Sequence, residues 1–497
     1  MSVSLLPLVA VLIPLLAGLI IFHVPEERHG LRTAINLGAA LAKIALVVVM
    51  LRGVAGGATY EAALAWLPGR DLVLRVDALA LLFLTLSSLL WLLTTVYAIA
   101  YLEGGHHRSR FFGFFSLCVA ATAGIALAGN LLTFLFFYEL LTLATWPLVI
   151  HRGTAEARRA GAVYLRYTLS GGVVLLVGIV LLESVTGPVD FAVGAGLPAE
   201  AGPVVVAAFA LMLAGLGVKA ALVPLHGWLP RAMVAPAPVS ALLHAVAVVK
   251  AGAFGIIRLV HDVFHPGYLA AFGGLQVLMV FAVATILWGS WRALAQDDLK
   301  RRLAYSTVSQ VAYITLGLAM AGPVALVGGL VHLVHQGLMK ITLFFAAGNL
   351  AETLEIHRIS RMDGVGRRMP LTMGAFTIGA LGMIGIPPVA GFVSKWYLGA
   401  GALAVDRPEV IGVLVLSSLL NAAYFLPILQ RAWFRPARAG QWHDHGRAGR
   451  LETHWMLLLP PVMTAGAAVG AGLLAGSEMS PLAWAERVAG ILGGQDG

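Results

Sequence analysis

The sequence predicts an all-α integral membrane protein with about 14 transmembrane helices in two inverted five-helix repeats. Three observations lead there. The 497 residues are 59% hydrophobic and only 11% charged, whereas soluble domains carry about 25% charged residues. Apolar runs long enough to cross a bilayer recur along the whole chain. Two of them are interrupted by proline and glycine at corresponding places in the two halves, as in transporters built from inverted repeats. A soluble enzyme, a secreted disulfide scaffold and a disordered chain are excluded.

Each apolar segment is expected to be a helix, because none alternates apolar and polar residues as a barrel strand does. The segments lie near 3–22, 33–51, 77–101, 111–128, 130–150, 163–183, 204–229, 239–260, 268–290, 303–320, 323–350, 371–399, 408–432 and 453–475. We divide them into helices 1–3 (1–110), a first repeat of helices 4–8 (111–260) and a second repeat of helices 9–13 (261–432). A cytoplasmic loop, helix 14 and an outward tail follow (433–497).

Basic residues concentrate in the odd-numbered loops, while the fourth, sixth and tenth loops contain no lysine or arginine. The positive-inside rule therefore places the odd loops in the cytoplasm and both termini outside, in a multi-pass protein of the cell inner membrane. The basic residues used are Arg28, Arg32, Arg108, Arg110, Arg152, Arg158, Arg159, Lys300, Arg301, Arg302, Arg358, Arg361, Arg367, Arg368, Arg431, Arg435, Arg438, Arg447 and Arg450.

Two helices are predicted to be broken. Helix 7 contains Pro224, and helix 12 contains Pro387 and Pro388. Proline removes a backbone hydrogen bond, and the glycines nearby permit a bend. Each break lies close to a lysine, Lys219 or Lys395, which favours an ion site at the membrane midplane. Two unrelated kinks are the simpler alternative.

Ionisable residues inside the apolar segments are the strongest functional signal, because a charged side chain at a helix centre costs about 2.5–3.5 kcal/mol on insertion scales. One acid, four lysines and three histidines form a set that can exchange protons, and they predict a buried proton relay. The set is Glu139, Lys219, His244, Lys250, His332, His335, Lys340 and Lys395.

Glu139 and Lys219 form the natural opposite-charge pair of this set. Our mechanistic hypothesis is that separating the pair releases the lysine's proton onward, through the histidine and lysine of helix 8, to Lys340 and Lys395. The alternatives are that the histidines are packing residues between helices and that the lysines of helices 8 and 11 reach towards the interface.

Other polar residues are assigned simpler roles. Asp77 is expected to cap helix 3, and Arg166 and Arg258 are expected to anchor span ends at the interface. His226, beside the first proline break, either binds freed carbonyls or belongs to the proton path. The one cysteine, Cys118, excludes a disulfide or a cysteine-ligated metal within this chain. No nucleotide, metal or hydrolase motif lies in a fitting context, so no catalytic centre, cofactor or metal site is expected.

Four longer motifs resemble a known family. They are YELLTLATWPLV (138–149), VKAALVPLHGWLPRAMVAPAPVSALLHA (218–245), LAQDDLKRRLAYSTVSQVAYI (294–314) and GIPPVAGFVSKWYL (385–398). They resemble the antiporter-like subunits shared by respiratory complex I, Mrp-type cation/proton antiporters and membrane-bound hydrogenases, over about residues 75–430. The resemblance implies 14 helices, inverted repeats and a central hydrophilic axis. It also implies ion-translocating roles for Glu139, Lys219, Lys250, Lys340 and Lys395.

The subfamily resemblance is closest to the D subunit of Mrp antiporters, because His335 lies five positions before Lys340. Lys395 in place of a glutamate argues against one complex I member. Arg231 and Gln336 depart from the pattern, since acidic residues are common at both positions. The resemblance implies a proton-translocating subunit of a multisubunit Na⁺/H⁺ antiporter, with other membrane subunits as partners. The alternatives are an ion-pumping subunit of a redox complex and a membrane subunit of an inorganic-carbon uptake system.

Overall fold

The computed structural model describes residues 4–192, 194–438, 440–446 and 451–493. Arg447 and Arg450, used above for the orientation, lie outside the described residues. The elements are α1 (Leu6–Phe22), α2 (His29–Ala55), β1 (Tyr60–Leu67), β2 (Arg70–Val76), α3 (Ala78–Tyr101), α4 (Arg108–Leu127), α5 (Leu131–Val149), α6 (Ala155–Thr186), α7 (Pro203–Lys219), α8 (Ala237–Ala241), α9 (Val248–Arg258), α10 (Pro266–Ala271), α11 (Gly274–Leu294), α12 (Leu299–Ala319), α13 (Pro323–Leu354), α14 (Val365–Arg368), α15 (Pro370–Ile384), α16 (Ala390–Ala404), α17 (Glu409–Phe434), α18 (Trp455–Leu473) and α19 (Pro481–Gly493).

The predicted helical membrane fold is confirmed. Ten helices in the described ranges are long and apolar enough to cross a membrane, and three shorter apolar helices, α1, α7 and α15, accompany them. Large apolar side chains stay exposed on the outer helices, for example Val173 and Val180 of α6 at 60% and 57%, which suits contact with lipid. The total of fourteen crossings and the repeat boundaries stay predictions.

Both predicted breaks are present. The helix α7 ends at Lys219, and the chain then turns irregularly until a short 3₁₀ helix at Arg231–Val234. In the second half α15 ends at Ile384 and α16 begins at Ala390, so the paired prolines lie in the gap. A helix end inside a membrane leaves backbone carbonyls without helical donors. Polar side chains are therefore expected at both gaps.

The predicted helix 8 corresponds to residues 237–263, which include α8 and α9, and it differs from a regular α-helix. The segment 237–263 is continuous but contains two π-helical turns, Leu242–Val246 and Leu259–Val263. His244 lies in the first of them. Single π-turns inside helices are frequent at functional sites, and the apolar pattern of the sequence gave no indication of them.

A β-hairpin follows α2, in a loop for which the sequence analysis predicted no strands. The strands β1 and β2 pair antiparallel around a turn in which Gly69 has a φ of +72°. We call the end of the bundle that carries it the hairpin face. Ser4 donates its backbone N–H to Glu61 of β1 at 2.9 Å, and Trp484 of α19 donates to the Ala78 carbonyl at 2.8 Å. Both described ends of the chain therefore lie at the hairpin face; whether it is the outer face stays a prediction.

The helix α13 forms the centre of the bundle. It packs against α3, α12, α15, α16 and α18, and its side chains are buried almost throughout. Small residues allow helices to approach closely in a membrane. In α11, a Cβ on Gly289 would lie 2.7 Å from the backbone nitrogen of Ser309 in α12. This contact fixes α11 against α12, which in turn packs against α13.

Candidate functional site: a buried axis of ionisable residues

The first predicted pair is close but not in direct contact. Lys219, the last residue of α7, is completely buried and donates a hydrogen bond to the carbonyl of Tyr138 in α5. Its ammonium also lies 3.3 Å from the centre of the Tyr138 ring. Glu139 is the next residue along the chain, and the two opposite charges attract each other without forming an ion pair in the described structure. The Lys219 ammonium and the Glu139 carboxylate are therefore separated in the described structure.

Glycine makes room for the carboxylate of this pair. A Cβ on Gly172 of α6 would overlap the Glu139 carboxyl group. The Oε1 atom of Glu139 is buried and has no hydrogen-bond partner in the described structure. Buried polar atoms are almost always paired with protein or with water, so this oxygen is a natural position for a water molecule or an incoming proton.

Lys250 joins helix 8 to α13. Its ammonium is fully buried and donates to the Leu333 carbonyl at 2.8 Å. His332, the residue before Leu333, places Nδ1 2.8 Å from the Ser394 hydroxyl of α16. His332 and Leu333, which are neighbours in α13, therefore connect helix 8 with α16 of the second broken helix.

Lys340 lies two turns further along α13, in a separate hydrogen-bonded group. Its ammonium donates to the Ser306 hydroxyl of α12 at 2.8 Å. The Tyr424 hydroxyl of α17 also donates to Ser306, at 2.9 Å, and contacts the Asn421 side chain. These residues form a short polar chain across three helices.

Lys395 lies at the second break and donates hydrogen bonds to carbonyls at the C-terminal end of α15. Its ammonium donates to the carbonyls of Met383 at 3.1 Å and Ile384 at 2.8 Å, and to the Ser418 hydroxyl of α17 at 2.8 Å. A positive charge at a helix C-terminus also interacts favourably with the helix dipole. The lysine thus has a structural contact as well as a place in the predicted relay.

Two of the predicted histidines have no side-chain hydrogen-bond partner among the described residues. His244 is buried with its ring 4.5 Å from the Phe344 ring, and both of its nitrogens lack a partner. The buried His335 also lacks a side-chain partner, and the Ala390 backbone lies beside its ring. Water is the usual partner of such groups, so both histidines are suited to a hydrated path.

Six of the eight predicted residues are fully buried, whereas Glu139 and Lys395 are partly buried, and no two of the eight are joined by a direct hydrogen bond among the described residues. Their hydrogen-bond partners include backbone carbonyls and serine hydroxyls instead, at Tyr138, Leu333, Ser306, Ser394 and Ser418. Such groups exchange hydrogen bonds without holding charge. The sequence analysis did not identify them, because serine and carbonyl groups cost little in a membrane helix and give no hydropathy signal.

One simpler assignment is wrong. Arg258 is not an interface anchor: it is 4% exposed and forms ion pairs with Asp77 at 2.8 Å and Asp262 at 2.6 Å. The capping role of Asp77 is confirmed, since its Oδ1 accepts from the Ala80 N–H at 2.6 Å. For His226, Nε2 accepts from the Trp288 indole at 3.3 Å, and neither of its two predicted roles is tested.

Lys43 is a further buried lysine that the sequence analysis overlooked. It lies in α2, is 0% exposed, and has its ammonium 5.6 Å from the centre of the Trp91 ring. The signal was available, because Lys43 stands in the middle of the second apolar segment and the membrane cost of a lysine applies there too.

Comparison with known proteins identifies the family. Residues 128–421 match the family described as the transmembrane part of NADH:quinone oxidoreductase and Mrp antiporter subunits. The match covers more than half of the chain, and the chain belongs to this family.

Individual relatives come from all three predicted branches. The chain is 38% identical over 444 residues to NADH-quinone oxidoreductase subunit N of Desulforudis audaxviator (strain MP104C), covering 86% of each protein. It is 34% identical over 357 residues to hydrogenase-4 component B of Escherichia coli (strain K12), covering 69% of this chain and 53% of that protein. Its fold matches a chain of the Mrp complex from Dietzia sp. DQ12-45-1b with a TM-score of 0.85, 26% identity and coverage of 98% and 97%. These likenesses to multisubunit membrane complexes confirm other membrane subunits as the expected partners.

Proposed function

We propose that the chain is the proton-translocating subunit of a multisubunit Mrp-type Na⁺/H⁺ antiporter in the cell inner membrane, with both termini outward. The observation that carries the proposal is the set of eight ionisable residues around two broken helices, six of them fully buried, whose hydrogen-bond partners are mainly carbonyls and hydroxyls. Similarity to a chain of the Mrp complex over nearly the full length of both proteins supports the antiporter assignment.

The pair Glu139 and Lys219 is the switch in this proposal. In the arrangement described here, the lysine donates to the Tyr138 carbonyl and the carboxylate is separate from it. Closing the pair would hold a proton on the lysine, because the opposite charge favours the ammonium. Opening it would return the lysine to a site with few compensating charges, and the proton would pass to the next group of the axis.

The remaining residues then relay the proton. Lys250 and His332 connect the first repeat to α16, and Lys340 and Lys395 lie in polar groups around α12 and α17. A water molecule beside an unpartnered histidine nitrogen can carry a proton between two such groups.

The second candidate function is an ion-pumping subunit of a redox complex. It is favoured by the 38% identity to NADH-quinone oxidoreductase subunit N, with 86% of each protein covered. The same relay would then move protons under a redox driving force supplied by other subunits.

The relay is tested by Glu139→Gln and Lys219→Met in sealed membrane vesicles that contain the full complex. We expect Na⁺-induced proton movement to fall to background in both variants, while Glu139→Asp, which keeps the charge, retains part of it. Co-purification of partner subunits verifies assembly. Wild-type transport by both fully assembled variants would contradict the switch.

The energy source is tested separately by a mild-detergent pull-down from the native membrane, followed by mass spectrometry. Small hydrophobic partners without cofactor proteins would support the antiporter. Partners that carry iron–sulfur clusters, flavin or nickel would support the redox candidate.

A further inference from the structure

A group of buried polar side chains lies between α2 and α3, outside the axis of ionisable residues. On α2 it consists of Asn36 and Lys43, which are two helical turns apart and therefore share a face. On α3 it consists of Trp91 and Thr95, which are one turn apart. All four side chains are 0% exposed, and the two helices pack against each other. We call these four residues the α2–α3 seam.

The four side chains converge on one level of the helix pair. The two helices run antiparallel, because α2 ends and α3 begins at the hairpin. The Lys43 ammonium lies 5.6 Å from the centre of the Trp91 ring. Asn36 is about 10 Å before Lys43 along α2, and Thr95 is about 6 Å after Trp91 along α3, so both lie on the same side of this contact. Helical side chains lean towards the N-terminus, which brings Lys43 towards Asn36 and Thr95 towards Trp91.

Each member of the seam has a polar atom without a hydrogen-bond partner in the described part of the chain. These atoms are Nζ of Lys43, Nε1 of Trp91, Oγ1 of Thr95 and Oδ1 of Asn36. The Asn36 amide nitrogen donates to the Arg32 carbonyl at 3.0 Å, so only the amide oxygen is left for the seam. Buried polar atoms are almost always paired, and four such atoms at one level of a helix pair indicate a bound species.

Donors outnumber acceptors in the seam. The Lys43 ammonium and the Trp91 indole N–H can only donate, whereas the Thr95 hydroxyl can donate or accept. The Asn36 oxygen can only accept. A metal cation would meet mainly donor groups here. The seam therefore fits a species that accepts several hydrogen bonds.

The charge of Lys43 favours an anion over water. None of the helices α1, α2, α3 and α4, which pack around the seam, contains an aspartate or glutamate. Glu26, in the loop before α2, lies 3.8 Å from Arg32 and 3.7 Å from Arg108, which already compensate its charge. A buried ammonium is costly unless it is paired. A bound anion would supply both the opposite charge and the missing acceptors.

We propose that the α2–α3 seam binds a small monovalent anion, with chloride as the natural example. The Lys43 ammonium supplies the opposite charge, and the Trp91 indole N–H and the Thr95 hydroxyl donate hydrogen bonds to the anion. The Asn36 oxygen accepts from the ammonium and orients it. Complete burial of all four side chains suits a monatomic ion rather than a phosphate group. The site is separate from the proposed proton relay and does not depend on it.

Binding is tested with radioactive chloride and the purified full complex, in gluconate buffer of constant ionic strength. The wild-type complex should bind one more chloride per chain, in a saturable manner, than the Lys43→Met complex. The matched control is Arg52→Met, which removes an exposed positive charge from the same helix and should retain the binding. Equal binding by the wild type and Lys43→Met would overturn the proposal, and so would an equal loss in Arg52→Met.

The two donors of α3 are tested with variants of similar size. Trp91→Phe and Thr95→Val each remove one donor, and each should raise the Kd for chloride by about tenfold, the usual effect of losing a hydrogen bond to a charged group. The control is Thr94→Val, because the Thr94 hydroxyl donates to the Leu90 carbonyl of its own helix at 2.6 Å. It should leave the Kd unchanged. Wild-type affinity in both donor variants would refute the site.

Two further measurements locate the anion. Chloride should raise the unfolding temperature of the wild-type complex, since a ligand of the folded state stabilises it, and this shift should be absent in Lys43→Met. Anomalous X-ray scattering from crystals of the wild-type complex in bromide needs no variant. It should show bromide between α2 and α3, beside the Lys43 ammonium. Bromide bound only elsewhere would overturn the proposal.

Discussion

Removal of Arg258 is expected to destabilise the protein by leaving a buried carboxylate without its partner. Arg258 and Asp262 are 4% and 6% exposed, and their charged atoms are 2.6 Å apart. Breaking a buried ion pair by removing one partner costs about 3–5 kcal/mol. A second estimate agrees, because protonating an aspartate of ordinary pKa about 3.9 at pH 7 costs about 4 kcal/mol. We therefore expect Arg258→Met to lower the free energy of unfolding by about 4 kcal/mol.

The buried charge, rather than the lost side chain, is the cause in this reasoning, and a double variant separates the two. Arg258→Met combined with Asp262→Asn removes the uncompensated charge, so it should unfold at a higher temperature than Arg258→Met alone. The control is Arg407→Met, which breaks an exposed pair with Glu409 of 3.6 Å and should change stability by less than about 1 kcal/mol. Thermal unfolding, followed by tryptophan fluorescence in mild detergent, ranks the variants by their unfolding temperatures. A double variant that unfolds at or below the temperature of Arg258→Met would refute the reasoning.

Two further predictions concern packing and the axis. Gly289→Ala should destabilise the protein by about 1–3 kcal/mol, because the new methyl group would lie 2.7 Å from a backbone nitrogen of α12. The control is Gly412→Ala, whose methyl group would have nothing within 4 Å. It should have no such effect in the same unfolding assay. Ser306→Ala removes the hydroxyl to which Lys340 donates and should slow proton transport in vesicles while the complex still assembles. Ser88→Ala, whose hydroxyl bonds only within its own helix, should transport normally, and equal rates in the two serine variants would argue against a role for the Lys340 group.

Local properties of the sequence determined the membrane fold and the two breaks, and they singled out the ionisable residues for which the relay is proposed. Hydropathy is read segment by segment, and a proline interrupts a helix whatever packs around it. The cost of an ionisable group in a membrane is large enough to make Glu139 or Lys219 stand out without any knowledge of its neighbours. The same cost applies to Lys43, so this lysine could have been identified from the sequence in the same way.

The hairpin and the π-turns of helix 8 were not predictable by these means. Short strands outside the membrane give weak signals beside those of apolar helices, and a π-turn adds one residue to a helix without changing its composition.

Tertiary structure alone decided what each ionisable residue touches. Lys250 meets a carbonyl 83 positions away in the chain, and no periodicity spans that distance. The same holds for Arg258, which looked like an interfacial residue by its place at a span end but is buried between two aspartates because α3 and helix 8 meet at the hairpin face. The sequence thus determines which groups are costly enough to need partners, whereas the packing of distant helices determines which partners they find.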